Sequence, residues 1–509
     1  MTKLALTGFM GSGKTTAARA AAEALNTEAV DVDAELERSF GRSIERVFDE
    51  EGEAVFRARE EALTLAAIAR PDAKVVALGG GALGSARVRE ALAEGDRCVL
   101  WMDVAPDLAW QRAHGAGRPL ARDRQLFERL HADREPVYSA LADATVPAER
   151  ATEMAAVLAS LAGLPEGAKL IWATSASADY PVYIGSGLVT RSRFWPPAMD
   201  GRRFTITDEH VARHHSEGIA EVERWLEVPA GEGSKTIAQA EAVWRALAGA
   251  GMTRADVVVA VGGGVVGDLA GFCAATYQRG VRWVQVPTTL VAQVDSAYGG
   301  KTGIDLPEAK NYVGAYHQPS AVIADPETLA TLPAAELAAG YAEVLKTALL
   351  AGGELWGSVR AGADSTSPQI IAACVRTKLR IVARDERDAG PRRVLNLGHT
   401  VAHALETATG YRRYRHGEAV GLGLLAALRL SGQPALRDEV AALLEARGLP
   451  TRLDGADPEA VVSATAADKK RLGAGPVPFV LLDRPGQPRA GCPVEPAELR
   501  AAVGELAAR

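Results

Sequence analysis

The sequence predicts an α/β protein of two modules. The first carries a parallel sheet covered on both faces. The second has an α/β part followed by a mostly helical part. Three observations carry this reading. Over the first 160 or so residues, short apolar runs alternate with helical patterns, as they do where crossover helices join parallel strands. The alternation starts again near Lys169. From about Pro333 the strand signals fade and long helical patterns take over.

The elements follow in order. Leu4-Ala5-Leu6-Thr7 reads as a buried strand and Thr15 to Leu25 as an alanine-rich helix. Lys74 to Leu78 and Arg97 to Trp101 read as further buried strands, and Thr152 to Leu161 as a closing helix. Gly163-Leu164-Pro165-Glu166-Gly167 has breaker chemistry and no apolar period, so the boundary is placed there. The clearest later strand is Val257 to Val261, and Glu336 to Leu350 and Glu418 to Leu430 read as helices. The expected domains are 1–163, 169–332 and 333–509.

At roughly 150 residues per domain, 509 residues also give about three domains. The net charge is −7 with no basic stripe, which argues against nucleic acid as a partner. Cys98, Cys273, Cys374 and Cys492 form no CxxC pair. No disulfide framework is expected, and the cytoplasm is the expected compartment. Met1-Thr2-Lys3 leads straight into the first strand. The sequence thus reads without a leader, and no apolar run is long enough for a membrane.

Gly8-Phe9-Met10-Gly11-Ser12-Gly13-Lys14-Thr15 matches G-x-x-x-x-G-K-[ST] between a strand and a helix. Such a loop turns backbone N–H groups toward phosphate oxygens at a helix N-terminus. Lys14 can reach the outer phosphates and the Thr15 hydroxyl can ligate Mg²⁺, so a nucleotide with Mg²⁺ is expected. A chance glycine-rich turn would lack these flanks.

Further along come Asp31-Val32-Asp33, Gly52 to Arg57, Leu78-Gly79-Gly80-Gly81, Gly117-Arg118-Pro119-Leu120 and Arg134 to Tyr138. Each has a bland reading alone. In this order they resemble shikimate kinase over nearly all of residues 1–160. The resemblance implies ATP binding by Gly8, Gly11, Ser12, Gly13, Lys14, Thr15, Thr16 and Arg112, with Thr15 and Asp31 toward Mg²⁺. It assigns shikimate to Asp33, Arg57, Gly79, Gly80, Gly81 and Arg134. The arginines would take the carboxylate in bidentate fashion. Lys14 and Arg118 would neutralise charge on the transferring phosphoryl group. A gluconate kinase of the same fold is the nearest rival.

Gly262-Gly263-Gly264-Val265-Val266-Gly267 follows a strand, but no acid occurs in Arg282 to Thr289, where a standard dinucleotide fold carries one. The loop therefore reads as a pyrophosphate cradle in a different plan. Leu269 to Phe272, Arg279-Gly280, Pro287-Thr288-Thr289-Leu290, Asp295 to Gly303 and Lys310-Asn311 follow. So do Ala342 to Lys346, Leu395 to His403 and His416-Gly417-Glu418. The whole resembles 3-dehydroquinate synthase over roughly residues 175–485.

That resemblance implies NAD at Asp208, Glu232, Lys235, Gly263, Gly264, Val265, Asp268, Thr288, Thr289 and Thr331. It implies a divalent metal, zinc with cobalt as the alternative, on Glu343, His399 and His416. His399 and His403, four apart on one helical face, are a rival ligand pair. Asp295, Lys301, Lys346, Lys378, Arg392, Asn396 and His403 would serve the reaction. Arg279, Lys301, Lys310, Asn311 and one of Lys469 or Lys470 would hold substrate, although Pro391 beside Arg392 departs from the family pattern. The family arginine matching Arg279 reaches a neighbouring subunit, so a homodimer through this module is expected.

The implied activities are phosphorylation of shikimate to shikimate 3-phosphate and cyclisation of 3-deoxy-arabino-heptulosonate 7-phosphate to 3-dehydroquinate with phosphate release. Both belong to aromatic amino acid biosynthesis. Polyol dehydrogenases and cyclitol synthases acting on glucose 6-phosphate share the second plan. A degenerate half that only supports the other is the non-enzyme alternative.

Overall fold

The computed structural model describes residues 3–115, 117–197, 199–471 and 478–507, with side chains at 466–471 outside the description. The chain forms two compact units. The first is Met1–Ala173 with Pro181–Tyr183 and Pro196–Met199. The second is Thr174–Tyr180, Ile184–Trp195 and Asp200–Arg509.

In the first unit the strands are β1 (Lys3–Thr7), β2 (Ala29–Asp31), β3 (Val75–Ala77), β4 (Arg97–Asp103), β5 (Ala144–Pro147) and β6 (Lys169–Thr174). They run in the order β2-β3-β1-β4-β5-β6, every pair parallel. Leu4, Ala5 and Leu6 are fully buried, as expected of a central strand covered on both faces. The helix Lys14–Ala24 packs on β1, β2 and β3. The turn at 163–167 does not end this unit. It returns the chain so that Leu170 lies opposite Ala144 of β5.

β7 (Asp179–Ile184) gives residues to both units. The second unit holds β8 (Arg203–Asp208), β9 (Val222–Val228), β10 (Val257–Gly262), β11 (Arg282–Pro287), β12 (Lys301–Leu306), β13 (Ala309–Tyr316) and β14 (Ala321–Ala324). The order β14-β11-β10-β8-β9 is parallel throughout, and β12 and β13 form a separate hairpin. All six residues of β10 are buried. The helix Gly264–Thr276 lies close on the sheet: a Cβ at Gly271 would fall 2.7 Å from the Trp283 ring.

Beyond residue 333 the helices are Ala334–Ala351, Gly353–Arg360, Pro368–Arg384, His399–Ala408, His416–Leu430, Pro434–Glu445, Pro458–Arg471 and Pro496–Ala507. The hairpin of β15 (Pro478–Leu482) and β16 (Pro488–Pro493) interrupts them. Two glycines let backbones touch. A Cβ at Gly417 would sit 1.8 Å from Ala339 O, and one at Gly423 2.0 Å from Gly398 O. His416–Leu430 is thereby drawn against Ala334–Ala351 on one side and the start of His399–Ala408 on the other.

The four cysteines are free; Cys273, Cys374 and Cys492 are buried and Cys98 half-buried. Among the described residues, no helix is long and apolar enough to cross a membrane.

Candidate active sites

The first site gathers at the C-terminal ends of β1, β2 and β3. Gly8, Gly11 and Gly13 all have positive φ, which glycine adopts without strain. A Cβ at Gly8 would also fall 2.6 Å from Met102 O. Lys14 Nζ donates to Gly8 O at 2.8 Å and Phe9 O at 3.0 Å, folding the lysine back over its own loop. Burial pushes its ammonium down to about 8, against the opposing pull of Asp33. The Ser12 hydroxyl is buried and has no hydrogen-bond partner among the described residues.

Thr15 Oγ1 donates to Asp31 Oδ2 at 2.7 Å, so both prospective Mg²⁺ groups already meet. Residues 11–15, Asp31, Asp33, Arg112 and Arg118 line one cavity. Arg118 lies 3.7 Å from Asp33, and Arg112 donates to Gly11 O at 3.3 Å. Thr16 is exposed in the first turn of the following helix. Arg134 donates to Gly80 O at 3.1 Å. Arg57 is held by Glu53 at 3.0 Å and by Glu60 at 2.5 Å. Sequence reading missed Glu60, a 3 % exposed carboxylate in the helix Glu53–Ala69. It explains Gly79, where a Cβ would sit 2.2 Å from Glu60 Oε1. Gly81 likewise makes room for the Arg57 guanidinium.

In the second unit the turn after β10 is a tight cradle. Cβ atoms at Gly263 and Gly264 would fall 2.9 Å from Thr289 Cγ2 and 3.0 Å from Ser296 Oγ. The Thr288 and Ser296 hydroxyls are buried and have no hydrogen-bond partners among the described residues. Val265 sits in the first turn of the following helix, and Lys235 joins Asp268 at 2.9 Å, Glu232 at 3.3 Å and Asn311. Asp208 caps the helix Glu209–His215 by accepting from His210 N and Val211 N, both at 2.9 Å. Thr331 hydrogen-bonds His215 at 3.0 Å. Arg279 is exposed, with φ 67°.

Among the described residues, Glu343, His399 and His416 bring ligand atoms within 4.8 Å of one another. Both imidazoles turn Nε2 toward Glu343 Oε1, at 3.6 Å from His399 and 3.1 Å from His416. Glu343 is 1 % exposed, and among the described residues neither oxygen receives a well-directed hydrogen bond, although Lys346 Nζ lies 2.6 Å from one. A buried carboxylate with unfilled acceptor sites beside two nitrogens fits a divalent cation. Burial and the Lys346 charge push His399 down to about 3, so it is neutral, the form that ligates a metal. Glu343 and Glu406 hold His416 up at about 10 against burial. The His403 ring lies 5.4 Å from that of His399 and 6.4 Å from that of His416.

Asp295 sits on a π turn, Ala292–Ser296, the kind of distortion that often marks a working site. It accepts from Lys346 at 2.7 Å and from Lys378. Against the effect of burial, the two lysines hold Asp295 well below the usual carboxylate range. Burial pushes Lys378 down to about 8 against the Asp295 charge. Lys301 pairs with Asp388 at 2.5 Å, a partner sequence reading did not single out. Arg392 is buried and donates to Gly299 O and Glu386 O, while Asn396 is exposed. Lys310 reaches Glu232 at 3.8 Å and Glu406 at 3.9 Å. The Lys469 side chain lies outside the described residues.

The fold and sites define a class: a nucleotide-phosphate unit joined in one chain to a unit with a dinucleotide-type glycine turn and a Glu-His-His cluster. Family models agree. That for shikimate kinase matches residues 10–162. Those for the N- and C-terminal parts of 3-dehydroquinate synthase match 225–339 and 340–471. The 3-dehydroquinate synthase of Symbiobacterium thermophilum is 43% identical over 347 residues, 63% of this chain and 96% of that one. That of Caulobacter vibrioides is 41% identical over 356 residues, 64% and 95% of the two chains. A solved 2-epi-5-epi-valiolone synthase from Streptomyces hygroscopicus, with NAD⁺ and Zn²⁺ bound, superposes with TM-score 0.60 at 27% identity over 66% of this chain and 99% of that one. The chain belongs to the 3-dehydroquinate synthase family and carries a shikimate kinase domain ahead of it.

Proposed function

We propose that each unit works its own site. The first phosphorylates shikimate at the expense of ATP. The second cyclises 3-deoxy-arabino-heptulosonate 7-phosphate to 3-dehydroquinate with loss of phosphate. One observation carries this: each unit pairs a phosphate-type glycine turn with its own converging set of charged side chains.

In the kinase site, Lys14 sits over the loop for the outer phosphates, and Thr15 with Asp31 holds Mg²⁺. Arg118, beside Asp33, neutralises the transferring group. Asp33 takes ring hydroxyls, Arg57 and Arg134 take the carboxylate, and Gly79 to Gly81 leave room for them. Arg112 lies against adenine.

In the synthase site the glycine cradle and the Lys235 cluster hold NAD, with Asp208, Thr288, Thr289 and Thr331 around it. Glu343, His399 and His416 hold a divalent metal, with zinc favoured by the bound metal of the valiolone synthase. When bound, these groups accept and return a hydride and polarise the reacting oxygen. Lys301, Lys310, Asn311, Asn396 and Arg279 bind the phosphate and carboxylate. Lys346 and Lys378 keep Asp295 ionised. His403 contacts substrate or its water. The chain works in the cytoplasm as a homodimer through the second unit.

The test is a double dissociation. Lys14→Ala should abolish shikimate phosphorylation and leave cyclisation nearly unchanged, and His416→Ala should do the reverse. NADH should not accumulate during cyclisation. Loss of both activities in either variant, assayed in the full chain, would contradict two independent sites.

A further inference from the structure

We propose that Glu406 is a positioning residue that fixes the His416 imidazole for the metal. This rests on the reading of Glu343, His399 and His416 as metal ligands. Glu406 lies two turns beyond His399 on the helix His399–Ala408, hence on nearly the same face. Its side chain is 5 % exposed. Its Oε1 stands 3.3 Å from His416 Nδ1, while His416 Nε2 stands 3.1 Å from Glu343 Oε1. The imidazole thus faces a different carboxylate at each nitrogen, and the hydrogen bond is the one between Nδ1 and Glu406.

Only one tautomer leaves a lone pair at Nε2 for a cation. In it Nδ1 carries the proton and donates to Glu406, which also fixes the ring plane and raises the basicity of Nε2. Glu343 cannot serve this purpose, because its oxygens face Nε2 and Lys346. His399 is oriented differently: its Nδ1 lies 3.2 Å from Leu397 O, a neutral acceptor. Glu406 is therefore the ionised support in the cluster. Its charge is balanced from a second direction. Lys310 Nζ lies 3.9 Å from Oε1 and 4.4 Å above the Tyr411 ring. A buried carboxylate without such a cation would be costly.

Packing of this helix does not depend on the charge, since Val401, Ala402, Ala404 and Leu405 bury its apolar face. Glu406→Gln keeps the shape and removes the charge. The full chain, stripped of metal, is titrated with Zn²⁺ against a chromophoric chelator. Glu406→Gln should lower Zn²⁺ affinity about 10- to 100-fold. Glu406→Asp should recover part of the loss, the Co²⁺-loaded Gln variant should shift its visible absorption, and the metal-free unfolding midpoint should stay near that of the unsubstituted chain. Zn²⁺ affinity within twofold of the unsubstituted chain overturns the role. So does a loss of metal that Glu406→Gln and Glu406→Asp share together with a collapsed metal-free midpoint. His416→Ala is run alongside. Metal retained there refutes the ligand reading itself, whereas metal lost there but kept in Glu406→Gln refutes only the positioning role.

Discussion

Asp256 illustrates how one side chain ties a loop to the second unit. It is 5 % exposed and accepts from Arg202 at 2.9 Å, from Thr253 N at 2.7 Å and from the Thr253 hydroxyl at 3.0 Å. Burial alone would raise its pKa, but Arg202 and Thr253 hold it down at about 2. A carboxyl depressed in the folded state stabilises the fold above its unfolded value of about 3.9, and that stability is lost as pH falls toward 2. Asp256→Asn should therefore weaken the unit by about 1–3 kcal/mol at neutral pH, measured by urea unfolding. The gap from the unsubstituted chain should close between pH 4 and pH 2, and a constant gap across that window would contradict the assignment. At this scale the sequence was legible where a motif carried a residue. Lys14, Glu343, His399 and His416 stand in strings whose spacing matters. Glu60, Asp388 and Glu406 were not legible. A lone acid amid helical or loop residues reads as a solvated group, and only tertiary contacts bury it against an arginine, a lysine or a histidine.

Between elements, contact is decided by glycines. Gly417 meets Ala339 so closely that a methyl group has no room, and the affected helices carry His416 and Glu343. Gly417→Ala should force them apart, lowering the unfolding midpoint and Zn²⁺ affinity together. Gly504, inside Pro496–Ala507, has no atom of the described residues beyond its own helix within 4 Å of its Cβ position. Gly504→Ala should stabilise by about 0.5–1 kcal/mol through helix propensity and leave metal binding alone. Equal effects of the two substitutions in thermal unfolding would refute the contact argument. The central strands were readable because parallel strands buried on both faces are continuous apolar runs. Near Lys169 the sequence showed only that an α/β pattern resumes, and the pairing of β6 with β5 in the first unit was not readable, since breaker residues mark a turn without saying where the chain goes next. The hairpin β15–β16 hid for another reason: its strands are short and bounded by prolines, so no period develops.

Each of the two units holds its own glycine turn, its own charged set and a hydrophobic cluster of its own. The proposed homodimer adds a requirement to the second. Arg279 is exposed in a left-handed conformation just after the helix that follows the glycine cradle. Light scattering under assay conditions should give twice the chain mass of 53.4 kDa, and a fully active monomer would rule the dimer out. The free cysteines carry a practical consequence. Burial pushes the Cys98, Cys273 and Cys374 thiols up to about 12, and Cys492 is buried as well. Alkylating reagents attack the thiolate, a form these three scarcely populate at neutral pH. A cysteine introduced on the surface near Arg118 would thus take up a maleimide dye against a low background. The surroundings of Arg118 on nucleotide binding would then be followed by fluorescence in the native chain, without first stripping it of its own sulfur.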